Sequence, residues 1–212
     1  MSTPALRREL VMAGYRGDEA SARAGLADSD AEARSLALGA LERMGALTGG
    51  DLLAAAADGS PTVRQRAALL AATRPGFSLL ALLHDDDQRV VETAAWAAGE
   101  QETVDDDVLH LLGTLATDAA DPLVREASVA ALGAIGDERS LPAVLAGCQD
   151  KPNIRRRAVL ALAPFDGPDV EAALAAALRD HDWQVRQAAE DLAPHMGVED
   201  LLAEMGETDA TG

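Results

Sequence analysis

The sequence predicts an all-α protein built as a solenoid of about six stacked helix pairs. A pattern of small and aliphatic residues returns about every thirty residues along the 212-residue chain, which is typical of helical arrays. Hydrophobic residues make up 48% of the chain and aromatic residues only 2%, so the core must be built from Ala, Leu and Val. No stretch alternates polar and apolar residues between turn signals, and no strand is therefore predicted.

Each copy of the repeat begins at an arginine or its equivalent. A small residue follows three positions later, and small or aliphatic residues follow six and seven positions later, which places all three on one face of a helix. We call these helices the B helices. The gaps between the anchors are 30, 27, 34, 30 and 31 residues. The anchors are Arg34, Arg64, Val91, Arg125, Arg155 and Arg186.

A second apolar run precedes the B helices and predicts their partners, the A helices. Acid-rich turns join each pair, and their Asp, Ser and Pro residues suit a helix N-terminus. The A helices are predicted at DLLAAAA from Asp51, FSLLALL from Phe77, DVLHLLGTLA from Asp107, SLPAVLAG from Ser140 and DVEAALAAAL from Asp169.

The two ends of the array are predicted to carry half-repeat caps. The run ALRRELVMAG at 5–14 resembles a B helix without an A partner, and GVEDLLAEMG at 197–206 resembles an A helix without a B partner. Polar outer faces on such terminal helices keep a solenoid soluble. We expect residues 1–206 to form a single solenoid and residues 207–212 to be a disordered tail.

The segment DPLVREASVAALGAIGDERSLPAVLAG, Asp121 to Gly147, resembles the HEAT-repeat family, and within it the short repeats of the phycobilin-lyase type. Weaker copies on both sides extend the resemblance over nearly the whole chain. It implies a right-handed α-solenoid of about six HEAT-like helix pairs whose B helices line a concave groove. It does not specify an activity, because many unrelated functions use such arrays.

Charge and cysteine content narrow the class of protein. The formal net charge of −18 repels phosphate backbones and anionic membrane surfaces, so we expect neither nucleic acid nor membrane as a partner. Cys148 is the single cysteine, which excludes an internal disulfide and favours a reducing compartment. The N-terminal stretch has early charges and no apolar core of a signal peptide. We therefore expect a cytoplasmic protein.

The anchor arginines allow two interpretations. They could form a row of anion sites, or they could pair with an acidic turn residue of the same or the next repeat and form a structural ladder, which we favour. An aspartate lies five to seven residues before each anchor, and Val91 predicts one missing rung. These aspartates are Asp28, Asp58, Asp85, Asp118, Asp150 and Asp180.

The outer face of the B helices is the candidate binding site. Positions one, five and eight residues after the anchors point away from the core. The fifth positions include bulky apolar residues where water-facing residues are expected, and the first positions flank them with polar residues. Such a stripe indicates a partner site, and a central Trp suits a binding hot spot. Alternatively, neighbouring helices cover these side chains, and the stripe is part of the core. The candidate partner-binding residues are Leu69, Glu92, Trp96, Glu126, Arg156 and Leu160.

Other conspicuous residues have structural interpretations. Trp183 is expected to pack on the next helix, and the basic run KPNIRRR at 151–157 to be a solvated face more than a phosphate site. The histidines show no structural-zinc spacing, so neither metal nor cofactor is predicted. They are His84, His110, His181 and His195.

The function predicted is a non-catalytic scaffold or adaptor that binds a protein or peptide in the groove, as a monomer or in a hetero-complex. No nucleophile, base and metal ligand converge in the pattern, which argues against an enzyme. The alternative is a bilin-lyase-like or other lyase-associated accessory subunit, since those subunits are also short HEAT-like arrays. Its candidate nucleophile is Cys148, which lies on an A helix and is expected to be buried.

Overall fold

A computed structural model describes residues 4–196 as an all-α protein, with thirteen α-helices, two short 3₁₀ segments and no strand in that range. The chain forms two compact units, an N-terminal unit, Met1–Gln101, and a C-terminal unit, Glu102–Gly212. Within residues 4–196, none of the helices combines the length and apolarity that crossing a bilayer requires.

In the N-terminal unit the B helices α1, α3, α5 and α7 pack side by side in chain order, and the A helices α2, α4 and α6 each pack on the B helix that follows. The run 5–14 lies within α1 and packs on α3, as expected for a half-repeat cap. The helices are α1 (Pro4–Arg16), α2 (Glu19–Gly25), α3 (Ala31–Arg43), α4 (Gly49–Ala56), α5 (Pro61–Ala71), α6 (Leu80–Leu83) and α7 (Gln88–Glu100).

Two A helices of this unit differ from the prediction. Helix α2 was not predicted, because EASARAG has no apolar run, but Asp18 caps it by accepting a hydrogen bond from Ser21 N at 3.1 Å. Helix α6 has only four residues, whereas the apolar pattern begins at Phe77. A turn at Gly76, whose φ is +79°, delays the helix, while Leu79 is fully buried. The apolar residues of this segment therefore indicate which side chains are buried, and they do not indicate where the helix begins.

In the C-terminal unit the B helices α9, α11 and α13 pack in chain order, and each A helix again packs on the B helix that follows. The predicted cap at 197–206 and the tail at 207–212 lie outside the described residues, and a single solenoid over 1–206 stays a prediction. The helices are α8 (Asp106–Asp118), α9 (Pro122–Ile135), α10 (Leu141–Gly147), α11 (Pro152–Ala161), α12 (Pro168–Ala177) and α13 (Trp183–Leu192), with 3₁₀ segments at Glu138–Ser140 and Ala193–His195.

The small residues three positions after the anchors lie at the centre of each helix pair. All six have no exposed surface, which confirms the pattern and explains the small side chains, since a larger one would hold the helices apart. They are Ala37, Ala67, Ala94, Ser128, Ala158 and Ala189.

Replacing Ser128 with Ala is expected to stabilise the protein by about 1 kcal/mol. The Ser128 hydroxyl is buried without a hydrogen-bond partner within residues 4–196, so the wild type loses its hydration in folding. The other five repeats already carry Ala at this position. Thermal unfolding should show a Tm about 2–4 °C higher. An unchanged or lower Tm would indicate that the hydroxyl is hydrogen-bonded in solution.

The anchor arginines form a ladder that joins consecutive repeats inside each unit. Within residues 4–196 the anchor Arg186 forms no ion pair, and its Nη1 donates to the Asp180 carbonyl. At each of the other four anchor arginines the guanidinium donates through Nε and Nη2 to both carboxylate oxygens of an Asp in the next turn, at 2.6–3.1 Å. Its Nη1 donates to a backbone carbonyl of the turn before its own helix, at 2.6–2.9 Å. The rungs are Arg34–Asp58, Arg64–Asp85, Arg125–Asp150 and Arg155–Asp180.

These contacts support the structural interpretation of the arginines over a row of anion sites. Hydrogen bonds from the partner arginine are the largest cause of a lowered pKa at Asp58, Asp85, Asp150 and Asp180. Val91 is buried at the anchor position of α7, so that position presents no guanidinium to the next turn.

The first rung starts one helix earlier than predicted. Arg7 of α1 pairs with Asp30 at 2.8 Å, while Asp28 accepts a hydrogen bond from the Asp30 backbone N–H.

Candidate partner-binding face

The N-terminal unit exposes a row of bulky apolar side chains on its B helices. Leu69 on α5 and Trp96 on α7 are 41% and 44% exposed, as predicted from their position five residues after the anchor. Arg7 takes the anchor position of α1, which places Met12 in the same row, and Met12 is also 41% exposed. Gly39 occupies the row on α3. We call these four residues the first face. Aligning 5–14 with the other B helices would have found Met12 from the sequence.

Trp96 stands on a fully buried support. The flanking residues Ala94, Ala95, Ala97 and Ala98 have no exposed surface, so the backbone beneath the indole is held by packing on both sides. Side chains presented by such rigid elements lose little conformational freedom when a partner binds.

Polar contacts tie neighbouring B helices together beside the first face. Gln65 on α5 donates through Nε2 to Thr93 Oγ1 on α7 at 3.1 Å. Glu92, a predicted site residue, is half-buried one position before that threonine. At the α1 end, the Arg43 guanidinium lies 4.3 Å from the ring centroid of Tyr15. This distance is favourable for a cation–π contact.

The remaining predicted site residues lie on the B helices of the C-terminal unit. Leu160 on α11 is 40% exposed, and Arg156 beside the ladder is half-buried. Glu126 on α9 accepts a hydrogen bond from Asn153 Nδ2 at 2.7 Å and lies 3.8 Å from Arg157 Nε. We call Glu126, Arg156 and Leu160 the second face. The combination of both faces in one groove stays a prediction.

The prediction for Trp183 is wrong, because this side chain is 65% exposed. Trp183 is the first residue of α13, directly after the Asp182 cap, three positions before the anchor. The equivalent residues of the other B helices are half-buried or exposed as well. The first helical turn therefore extends beyond the packed layer.

The basic run 151–157 is divided between different contacts. Arg155 belongs to the ladder and Arg157 faces Glu126, while Lys151 is exposed at the N-terminus of α11. These side chains do not converge on one phosphate-sized site.

Cys148 is a poor nucleophile in this fold. Burial raises the pKa of its thiol to about 11, so the protonated form dominates at neutral pH. Within residues 4–196, no group of three or more His, Cys, Asp and Glu side chains is arranged to hold a metal ion.

An open cavity of about 330 Å³ in the C-terminal unit lies beside α8 and the 3₁₀ segment before α10. Its lining includes His110, Thr114 and Arg139. Arg139 already donates to Asp106 at 2.9 Å and to both oxygens of Asp137. Its charge is thus neutralised by the protein itself, which leaves little to attract an anionic ligand.

Comparisons with known proteins agree with this architecture. Residues 78–163 match the family model for HEAT repeats. No curated protein matches the sequence.

Among solved structures, the Escherichia coli protein YibA is similar with a TM-score of 0.65 at 16% identity, over 98% of this chain and 80% of that one. A designed armadillo repeat protein is similar with a TM-score of 0.58 at 17% identity, over 82% of this chain and 98% of that one. A second, in complex with the peptide (KR)4, has a TM-score of 0.56 at 17% identity, over 92% and 99%. At these identities the likeness shows the fold, an all-α repeat solenoid.

Proposed function

We propose that this protein is a non-catalytic interaction scaffold. Residues 78–163 match the family model for HEAT repeats, and similar helix pairs lie on both sides of them. The B-helix faces would bind a protein or peptide partner. HEAT and armadillo arrays are typical of such scaffolds, because each repeat buries one side on its neighbours and leaves another free.

The observation that carries the proposal is the exposed apolar row of the first face. Met12, Leu69 and Trp96 each expose about two fifths of their surface on adjacent or nearby B helices. Clustered exposed apolar side chains on a soluble protein indicate a partner site, and Trp is among the residues that contribute most to binding energy. In the C-terminal unit the second face would offer Leu160 to a partner, with Glu126 and Arg156 as polar neighbours.

A peptide is the partner class that one solved neighbour favours, since that designed armadillo repeat protein is in complex with a peptide. We place the protein in the cytoplasm, as a monomer or in a hetero-complex, because its one cysteine needs no oxidising compartment. The excess of carboxylates argues against nucleic acid.

Replacing Trp96 with Asp is expected to abolish capture of the partner from the native lysate, with a loss of affinity of about tenfold or more. The substitution removes the largest apolar side chain of the first face and introduces a charge in its place. Capture is read by mass spectrometry, after wild type and variant have been shown to melt alike.

The matched control is Trp183→Asp, which makes the same change at a Trp outside both faces that is even more exposed. The control should capture the partner as well as wild type. A partner retained by Trp96→Asp but lost by Trp183→Asp would place the binding site elsewhere and contradict the proposal.

A further inference from the structure

The negative charge of the chain is distributed unevenly between the two units. The N-terminal unit has ten arginines against fourteen Asp and Glu, a net charge of −4, and the C-terminal unit has eight basic residues against twenty-two acidic ones, a net charge of −14. The net charge of the whole chain would favour a basic partner. The local charge at the first face differs from this average.

Arg66 on α5 is a cation without a counter-ion. Within residues 4–196 it forms no ion pair and no hydrogen bond, and its Nε is buried without a partner. Arg157 holds the same position on α11, two residues after the anchor, and there Glu126 of the preceding B helix faces it. The position equivalent to Glu126 on α3 is Ser35, so the protein supplies Arg66 with no carboxylate at this position.

The guanidinium of Arg66 lies over Gly39 in the first face. A Cβ added to Gly39 would lie 2.2 Å from Arg66 Nη2 and 3.2 Å from its Cζ, so the planar group occupies the space of the missing side chain. The exposed row of the N-terminal unit therefore consists of Met12 on α1, the Arg66 guanidinium over α3, Leu69 on α5 and Trp96 on α7. Arg66 belongs to α5, but its side chain reaches across to Gly39 of α3.

We propose that the first face binds a peptide segment of a partner protein in which an Asp or Glu side chain, held by Arg66, is flanked by bulky apolar side chains. This inference rests on the proposed function and names the partner's chemistry. Packed helices lie about 8–10 Å apart, and an extended peptide advances about 3.3 Å per residue. The partner would thus present one apolar side chain, one carboxylate and two further apolar side chains, each separated by about three residues.

The surrounding charges permit this occupant. Glu42 of α3 is already paired with Arg74, and Glu92 lies on α7, two B helices beyond Gly39 in the packing order. Charges more than about 8 Å apart are largely screened at physiological salt, so the acidic surface elsewhere weakens a bidentate contact at Arg66 only slightly.

The test uses three fluorescent peptides with the same apolar residues at this spacing and with Glu, Lys or Gln at the position facing Arg66. Fluorescence anisotropy measures their binding to the full chain. The Glu peptide should bind about tenfold more tightly than the Gln and Lys peptides, as expected for one charge-assisted contact.

Two variants test whether Arg66 makes the contact. Arg66→Gln should remove the preference for the Glu peptide. Gly39→Ala keeps every charge but displaces the guanidinium, and it should weaken binding of the Glu peptide more than binding of the Gln peptide. Arg23→Gln changes the net charge equally on an A helix and is the matched control, with wild-type binding expected.

Tightest binding of the Lys peptide, or an unchanged preference in Arg66→Gln, would overturn the inference. In either case a loss of binding in Trp96→Asp would still support the proposed function. If none of the peptides binds wild type, the inference is overturned, and the lysate capture decides the proposed function separately.

Discussion

Replacing Arg64 with Ala is expected to lower the free energy of unfolding by about 3 kcal/mol. The Arg64 guanidinium donates to both carboxylate oxygens of Asp85, at 2.6 and 2.8 Å, and to the carbonyl of Asp58 at 2.9 Å. The Asp85 side chain is only 6% exposed. Without Arg64 this carboxylate would be buried with one remaining donor from residues 4–196, the Asp87 backbone N–H. Removing one partner of a buried pair costs far more than the pair contributes.

Urea denaturation measures this loss, and Arg89→Ala is the matched control. Arg89 also pairs with an aspartate of the same unit, Asp87, but its side chain is 67% exposed. Exposed pairs contribute about 0–1 kcal/mol, so the control should unfold close to wild type. Equal losses in the two variants would show that burial of the ladder does not determine its contribution.

The loss in Arg64→Ala should also depend on pH. Hydrogen bonds from Arg64 hold the pKa of Asp85 below the value of about 3.9 that an unfolded Asp has. A carboxylate with a lowered folded pKa stabilises the protein above the unfolded pKa and loses this contribution as the pH falls through the folded pKa. The difference between wild type and variant should therefore be constant near neutrality and shrink below about pH 4. A difference that grew on acidification would contradict the ion-pair origin.

Replacing Gly133 with Ala is expected to destabilise the protein by about 2–3 kcal/mol, the upper part of the range for overpacked cores. Gly133 lies in α9 where that helix meets α11. An added Cβ would lie 2.5 Å from the Cβ and 2.6 Å from the Cα of Ala161, and 3.0 Å from its carbonyl oxygen. Because these are mostly backbone atoms, the two B helices would have to move apart.

Gly113→Ala is the opposite case and serves as the control. Gly113 lies in the interior of α8, where an added Cβ would meet no atom within 4 Å. Here the substitution should stabilise the protein by about 0.5–1 kcal/mol, because Ala favours the helix more than Gly does. Urea denaturation of both variants should therefore give changes of opposite sign. Two stabilised variants would mean that α9 and α11 are not so closely packed.

The ladder and the close helix contacts bear on the proposed function through rigidity. A face that spans several B helices can recognise an extended partner only if the spacing of those helices is fixed. In the N-terminal unit, Arg34 and Arg64 fix successive repeats, and the buried alanines around Trp96 fix the backbone that presents the indole. The stability variants therefore test the contacts between the helices, and the binding variants test the exposed side chains of the same helices.

The sequence alone determined the helical repeat. A helix must bury one face, and the spacing of three, six and seven residues after each anchor marks that face without knowledge of any neighbour. The complete burial of the six small residues confirmed it, and so did the exposure of Leu69, Trp96 and Leu160. The turn aspartates could be identified from the sequence for the same reason, because helix caps and anchor positions are local sequence patterns.

Only the tertiary structure decided what lies opposite each face. The sequence left open whether an anchor arginine pairs within its own repeat or with the next, and the structure assigns the aspartate to the next repeat. It also exposed Trp183, shortened α6 and placed the Arg66 guanidinium over Gly39. The physical reason is that periodicity describes a single helix. Burial and ion pairing depend on the distance and direction of the neighbouring helix, and these are determined by contacts between residues far apart in the chain.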